Sequence, residues 1–117
     1  MIHLKRFASG IRGVSKFSML VRSKLDTNVS FPLENLDLRG YLNAEATGLQ
    51  TAPAIYDLFG VSNHFGGTYG GHYTAYTARK SESGTDWYEF DDSRVSNHTP
   101  AEVQTKAAYV LFYQRRK

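Results

Sequence analysis

The chain contains no cysteine, which excludes disulfide bonds and thiolate zinc sites within its 117 residues and leaves the redox compartment open. No apolar run approaches the roughly 20 residues needed to span a membrane, and the N-terminus lacks the apolar stretch of a signal peptide. A strong charge bias is missing too: the net charge of +3 is spread along the chain, and its one cluster, Arg115-Arg116-Lys117, sits at the terminus. A nucleic-acid footprint would gather basic side chains and stacking aromatics on one element, and no segment does so. Two glycosylation-type triplets, Asn28-Val29-Ser30 and Asn97-His98-Thr99, carry no weight without a secretion signal. The expected setting is intracellular, cytoplasm or nucleus, with neither membrane nor nucleic acid as a partner.

Aromatic residues are plentiful: 8 Tyr, 7 Phe and 1 Trp, in a chain 41% hydrophobic and 21% charged, point to a globular domain built mostly of strands. A chain of this length makes one domain or less and buries about two-thirds of its unfolded surface.

The opening Ile2-His3-Leu4-Lys5-Arg6-Phe7 alternates like a strand, with Ile2, Leu4 and Arg6 on one face. It starts abruptly, as a chain cut from something longer would. Residues 8–16, with two glycines and two serines, read as a loop, and Phe17 to Leu25 as a weak second strand. Phe31-Pro32 stops any ladder. Leu33 to Leu42 fits an irregular segment laid on a core, and residues 43–54 a polar linker with a short helical turn at Ala44 to Thr47. Beyond Tyr56 the pattern sharpens. Tyr56 to Phe65, Gly71 to Ala78, Trp87 to Asp91 and Ala107 to Gln114 are each strand-like. Thr99-Pro100-Ala101-Glu102 reads as a capping box with proline at the first helical position, predicting a helix to about Lys106.

Chemistry concentrates between residues 65 and 93. Phe65-Gly66-Gly67-Thr68-Tyr69-Gly70-Gly71 permits close backbone approach, and it leads into a strand, so it is not a phosphate cradle. His72 opens that strand. If the turn before Trp87 centres near residues 81–83, the cross-ladder partners of His72 lie within two residues of Asp91 and Asp92. A carboxylate that holds a histidine in one tautomer frees the other ring nitrogen to take a proton from a nucleophile. A purely structural His–Asp hydrogen bond accounts for the same pattern. The spacing of His64 and His72 matches no common metal site, and neither Ser62 nor Ser93 sits in a nucleophile elbow.

Six ordered pieces carry a resemblance to a known family: Ile2-His3-Leu4-Lys5-Arg6-Phe7; Lys24-Leu25 with Val29-x-Phe31-Pro32 and Leu36-Asp37-Leu38; Tyr56-x-Leu58 through Val61-Ser62-Asn63-His64; Gly70-Gly71-His72-Tyr73-Thr74-Ala75-Tyr76; Trp87-Tyr88-x-Phe90-Asp91-Asp92-Ser93-x-Val95; and Ala107-Ala108-Tyr109-Val110-Leu111-Phe112-Tyr113. Together they resemble the histidine box of the ubiquitin-specific proteases and the segments before it.

The resemblance implies an α+β fold, predominantly antiparallel β, forming the C-terminal part of the palm of a papain-like protease. Residues 1–117 would then be the C-terminal portion of a single catalytic domain whose cysteine-box thumb is absent. It implies a thiol-dependent deubiquitinase that hydrolyses the isopeptide bond after the C-terminal glycine of ubiquitin, with this chain inactive alone. His72 aligns with the general base, Asp91 with the residue that orients it, and Asp92 with a polar neighbour; which aspartate holds the imidazole stays open. Asn63, His64, Gly70, Gly71 and Tyr73 align with substrate-binding positions beside a blocking loop. Ubiquitin, ubiquitinated proteins and an upstream cysteine-bearing part are the implied partners, with no cofactor and no metal. The alternative is a non-catalytic ubiquitin-binding or scaffolding module. A piece of a larger sheet is also expected to be fragile by itself.

Overall fold

The computed structural model describes residues 1–12, 19–43, 53–67 and 70–117, without the side chains of 8–12 and 19–22. Among the described residues nine strands run β1 (Ile2–His3), β2 (Phe7–Arg12), β3 (Met19–Lys24), β4 (Leu36–Asp37), β5 (Ile55–Gly67), β6 (Gly70–Ser81), β7 (Gly84–Asp91), β8 (Arg94–His98) and β9 (Ala108–Arg115). A short helix, α1 (Pro100–Val103), precedes β9, and a 3₁₀ turn spans Arg39–Tyr41. The main sheet is antiparallel in the order β1-β9-β5-β6-β7-β8, with β4 paired to the start of β5, while β2 and β3 form a separate hairpin. An α+β fold dominated by antiparallel strands is the architecture observed.

The β6–β7 hairpin turns where Ser81 pairs with Gly84. Gly84 has φ +135°, a backbone conformation that side-chain-bearing residues rarely adopt. From that turn the register carries Tyr76 opposite Glu89 and Ala75 opposite Phe90. Alternation then puts Val61, Tyr76 and Trp87 on one face, where they join Leu58, Leu111, Ala108, Phe31 and Val103 in the core. Trp87 is 2% exposed and Val103 fully buried. Trp87→Ala should cost about 3–5 kcal/mol through transfer and cavity terms, read as a lowered thermal midpoint of the full-length protein.

Several elements depart from the sequence reading. Residues 8–12 were expected to be loop and instead continue β2, because pairing with β3 supplies the backbone partners that Ser and Gly propensities oppose. The opening strand is broken in two: β1 ends at His3, and Arg6 is buried, its Nε donating to the carbonyl of Ala108 at 2.6 Å and its guanidinium to Leu25 and Thr27. The helix stops at Val103, because that side chain is anchored in the core and the chain must extend at Gln104 to enter β9. Thr99 does not cap the helix backbone; its hydroxyl donates to Glu102 at 3.1 Å. Strand β8 was not anticipated at all. The turn expected at Ala44 to Thr47 lies outside the described residues.

Two register shifts mark the pairing of β5 with β9, one between Leu58 and Gly60 and one between Ser62 and Asn63. The second leaves Tyr109 as an extra residue on β9, a bulge of the kind that re-aims neighbouring groups. Around it, the carbonyls of Ala107, Ala108 and Tyr109 accept from His64 N, Arg6 Nε and Leu4 N, so the bulge fastens the N-terminal segment beside the Gly67–Gly70 end of the β5–β6 hairpin.

Candidate active site

At that end of the hairpin the first residue after the paired glycines is His72, across from Phe65. Strand β7 delivers Asp91 at its last position, and the chain turns at once through Asp92 and Ser93 so that Asp91 pairs with Arg94. Asp92 adopts φ 51°, a left-handed conformation that aspartate tolerates better than most side-chain-bearing residues. His72 Nε2 lies 2.6 Å from Asp91 Oδ1. The register therefore settles which carboxylate meets the imidazole: Asp91 touches it, while Asp92, in the turn, contributes charge from nearby.

The hydrogen bond to Asp91 raises the His72 pKa above its ordinary value; desolvation opposes it, and the charges of Asp91 and then Asp92 add smaller raising effects. His72 and Asp91 side chains are 46% and 35% exposed, so the imidazole is reachable from solvent. Its Nδ1 has no hydrogen-bond partner among the described residues. One nitrogen fixed by a carboxylate and the other open is an arrangement that can accept, hold and return a proton. Donor atoms of His72, Asp91 and Asp92 also lie within 4.8 Å of one another, but this grouping is what a carboxylate-oriented histidine produces anyway.

On the opposite face of β5 and β6 the cross-strand pair His64 and Tyr73 packs ring to ring at 4.8 Å. Phe7 and Tyr109 complete the cluster, 5.4 and 5.8 Å from the His64 ring. His64 is buried, its Nδ1 lacks a partner among the described residues, and burial followed by the nearby Lys24 charge lowers its pKa, favouring the neutral ring. Lys24 Nζ donates to the His64 carbonyl at 2.9 Å. A cleft bordered by Phe7, His64, Gly67, Gly70, Gly71 and Tyr73 runs past this cluster. Gly71 sits so tightly that a Cβ there would fall 2.5 Å from His64 Nε2 and closer still to the Phe65 carbonyl oxygen.

The structure thus brings His72, Asp91 and Asp92 together, and His64, Gly70, Gly71 and Tyr73 into one cleft a residue away. Asn63 stands apart from them: it is 1% exposed on the core face, its Nδ2 donates to Thr74 Oγ1 at 3.3 Å, and it is not among the residues that border that cleft. Phe7, Lys24 and Tyr109, which contact His64, escaped the sequence reading because each reaches it only through long-range pairing.

An oriented, solvent-reachable imidazole at the end of an antiparallel sheet is an arrangement that acid–base hydrolysis can use. Comparison with known proteins points to a class of hydrolases. The family model described as ubiquitin carboxyl-terminal hydrolase matches residues 1–113, and the chain belongs to this family. It is 45% identical over 115 residues to human ubiquitin carboxyl-terminal hydrolase 15, a match covering 98% of this chain and 10% of the relative. It is 43% identical over 115 residues to Arabidopsis thaliana ubiquitin carboxyl-terminal hydrolase 9, covering 98% and 11%. Among solved structures, a chain of the SAGA Ubp8/Sgf11/Sus1/Sgf73 DUB module bound to ubiquitin aldehyde superposes with a TM-score of 0.73 at 32% identity, covering 98% of this chain and 24% of that one. The chain therefore spans about a tenth of the length of the curated relatives it matches. Among the described residues no helix is long and apolar enough to cross a membrane.

Proposed function

We propose that residues 1–117 form the histidine-bearing, C-terminal portion of the catalytic domain of a thiol-dependent ubiquitin hydrolase, with His72 as general base and Asp91 as its orienting carboxylate. The 2.6 Å bond from His72 Nε2 to Asp91 carries this reading, since it leaves Nδ1 as the nitrogen that faces a nucleophile. The chain has no cysteine, so the thiol comes from elsewhere in the same protein and residues 1–117 alone are inactive.

In the complete site Nδ1 takes the thiol proton and the thiolate attacks the carbonyl carbon of the last glycine of ubiquitin. Collapse of the tetrahedral adduct breaks the C–N bond while the imidazolium returns its proton to the departing lysine amine. A thioester remains. Water then attacks it with His72 again accepting a proton, and the thiol and a free ubiquitin carboxylate are released. An imidazolium beside sulfur stabilises the thiolate, and the Asp91 and Asp92 charges keep that imidazolium populated to higher pH. The cleft between His64, Tyr73 and the Gly70-Gly71 pair is the proposed seat of the ubiquitin tail, where two residues without side chains pass and bulkier ones do not.

Asp91→Asn keeps a hydrogen-bond acceptor and removes the charge. The expected result in the full-length protein is a drop of about ten- to thirtyfold in kcat/KM at neutral pH. Since the carboxylate raises the His72 pKa, its loss should also move the alkaline limb of the pH profile to lower pH. A profile unmoved by Asp91→Asn and by Asp92→Asn would sink the assignment of these carboxylates.

A further inference from the structure

His98, which ends β8, has both ring nitrogens facing carboxylates on different elements. Nε2 is 2.9 Å from Glu89 Oε2 on β7, and Nδ1 is 2.5 Å from Glu102 Oε2 on α1. Ser96 Oγ lies 3.0 Å from Nε2, and the Tyr76 ring of β6 meets the imidazole edge-on at 5.4 Å. These are the polar and titratable groups that face it from β6, β7, β8 and α1. A neutral imidazole carries one N–H and can donate to only one of the two carboxylates; its other nitrogen would then set a lone pair against the second. Only the doubly protonated ring satisfies both. Glu102 is ready to receive it, because the hydrogen bond from His98 and then that from Thr99 lower its pKa.

What the ring holds is the single turn of α1, whose Val103 is fully buried in the core. The chain that leaves α1 runs straight to the site. Gln104 Oε1 accepts from Phe31 N at 3.4 Å, and the Ala107 carbonyl accepts from His64 N at 2.9 Å. Thr105, Lys106 and Ala107 border a groove shared with His64 and Phe65.

We propose that His98 is a positioning residue whose protonated ring clamps α1 onto β7, and so sets how firmly residues 105–107 brace His64 beside the channel for the ubiquitin tail. The clamp rests on the proposed function for its effect on turnover, but its protonation dependence does not. The sign follows from the two carboxylates: only a ring with both N–H groups donates to both, so gaining the proton closes the clamp and losing it opens the clamp.

The test uses the full-length protein as wild type, His98→Ala and Glu102→Gln, assayed on a fluorogenic ubiquitin amide at pH 6.0 and 8.5. At the lower pH His98→Ala should raise KM about two- to fivefold, the size of one part-exposed charged contact, with kcat nearly unchanged. At the higher pH the variant and wild type should converge. Glu102→Gln, which keeps an acceptor and loses the charge, should show the same convergence. Hydrogen exchange of residues 102–107, corrected for intrinsic rates, should be slower at pH 6.0 than at 8.5 in wild type and equal at both in His98→Ala. A variant-to-wild-type KM ratio that is the same at both pH values, or exchange indifferent to pH in wild type, would overturn the clamp. Were wild type to turn over no ubiquitin at either pH, the proposed function would fail and the exchange result alone would decide the clamp.

Discussion

His72→Ala in the full-length protein should lower kcat/KM on a ubiquitin amide by on the order of 10³-fold or more while leaving the fold and ubiquitin affinity near wild type. The size follows from what the side chain supplies. In the proposed role general acid–base transfer contributes about 10²–10⁴-fold, and the same imidazolium would stabilise the attacking thiolate, so one truncation removes both effects. The fold should tolerate it because His72 is half exposed and its partner Asp91 regains water when the ring is gone. Single-turnover kinetics with circular dichroism would check this. Loss of activity together with loss of fold would instead assign His72 a structural role.

Gly71→Ala should be the most damaging of the small substitutions. Its methyl would stand 2.5 Å from His64 Nε2 and collide with the Phe65 backbone carbonyl. Neither neighbour gives way easily: His64 is wedged among Phe7, Tyr73 and Tyr109, and Phe65 is held in the β5–β6 ladder. Overpacking of this kind costs about 1–3 kcal/mol, and the displaced strand end also carries the cleft and His72. The expected outcome is a fall in kcat/KM of about 10²-fold, with a larger share in KM than His72→Ala shows. Gly40→Ala, outside the cleft, serves as control, since no atom lies within 4 Å of its added Cβ. Equal effects from the two glycines would contradict the steric account.

The β5, β6, β7 and β9 strands were legible because their apolar alternation and the glycine-marked turn before Trp87 are local signals. Counting back from that turn placed His72 near the aspartates, but choosing Asp91 over Asp92 needed the actual register and the left-handed φ of Asp92, which a sequence pattern does not contain. Strand β8 stayed hidden because Arg94-Val95-Ser96-Asn97-His98 is polar apart from one valine; pairing with β7 makes it a strand. The helix was overextended because Val103, a residue compatible with continued helix, is committed to the core. His98 looked like part of a chance glycosylation triplet, since Glu89 and Glu102 meet it only after β7, β8 and α1 have assembled.

The most direct measurement is labelling of the full-length protein with a ubiquitin whose C-terminus carries a thiol-reactive group, with wild type and His72→Ala treated in parallel and the adduct located by mass spectrometry. A rapid adduct on a cysteine outside residues 1–117, slowed by at least about 10²-fold in His72→Ala, is the expected result. A folded protein that binds ubiquitin yet labels at the same rate with and without His72, or does not label at all, would contradict His72 as the base of a thiol hydrolase.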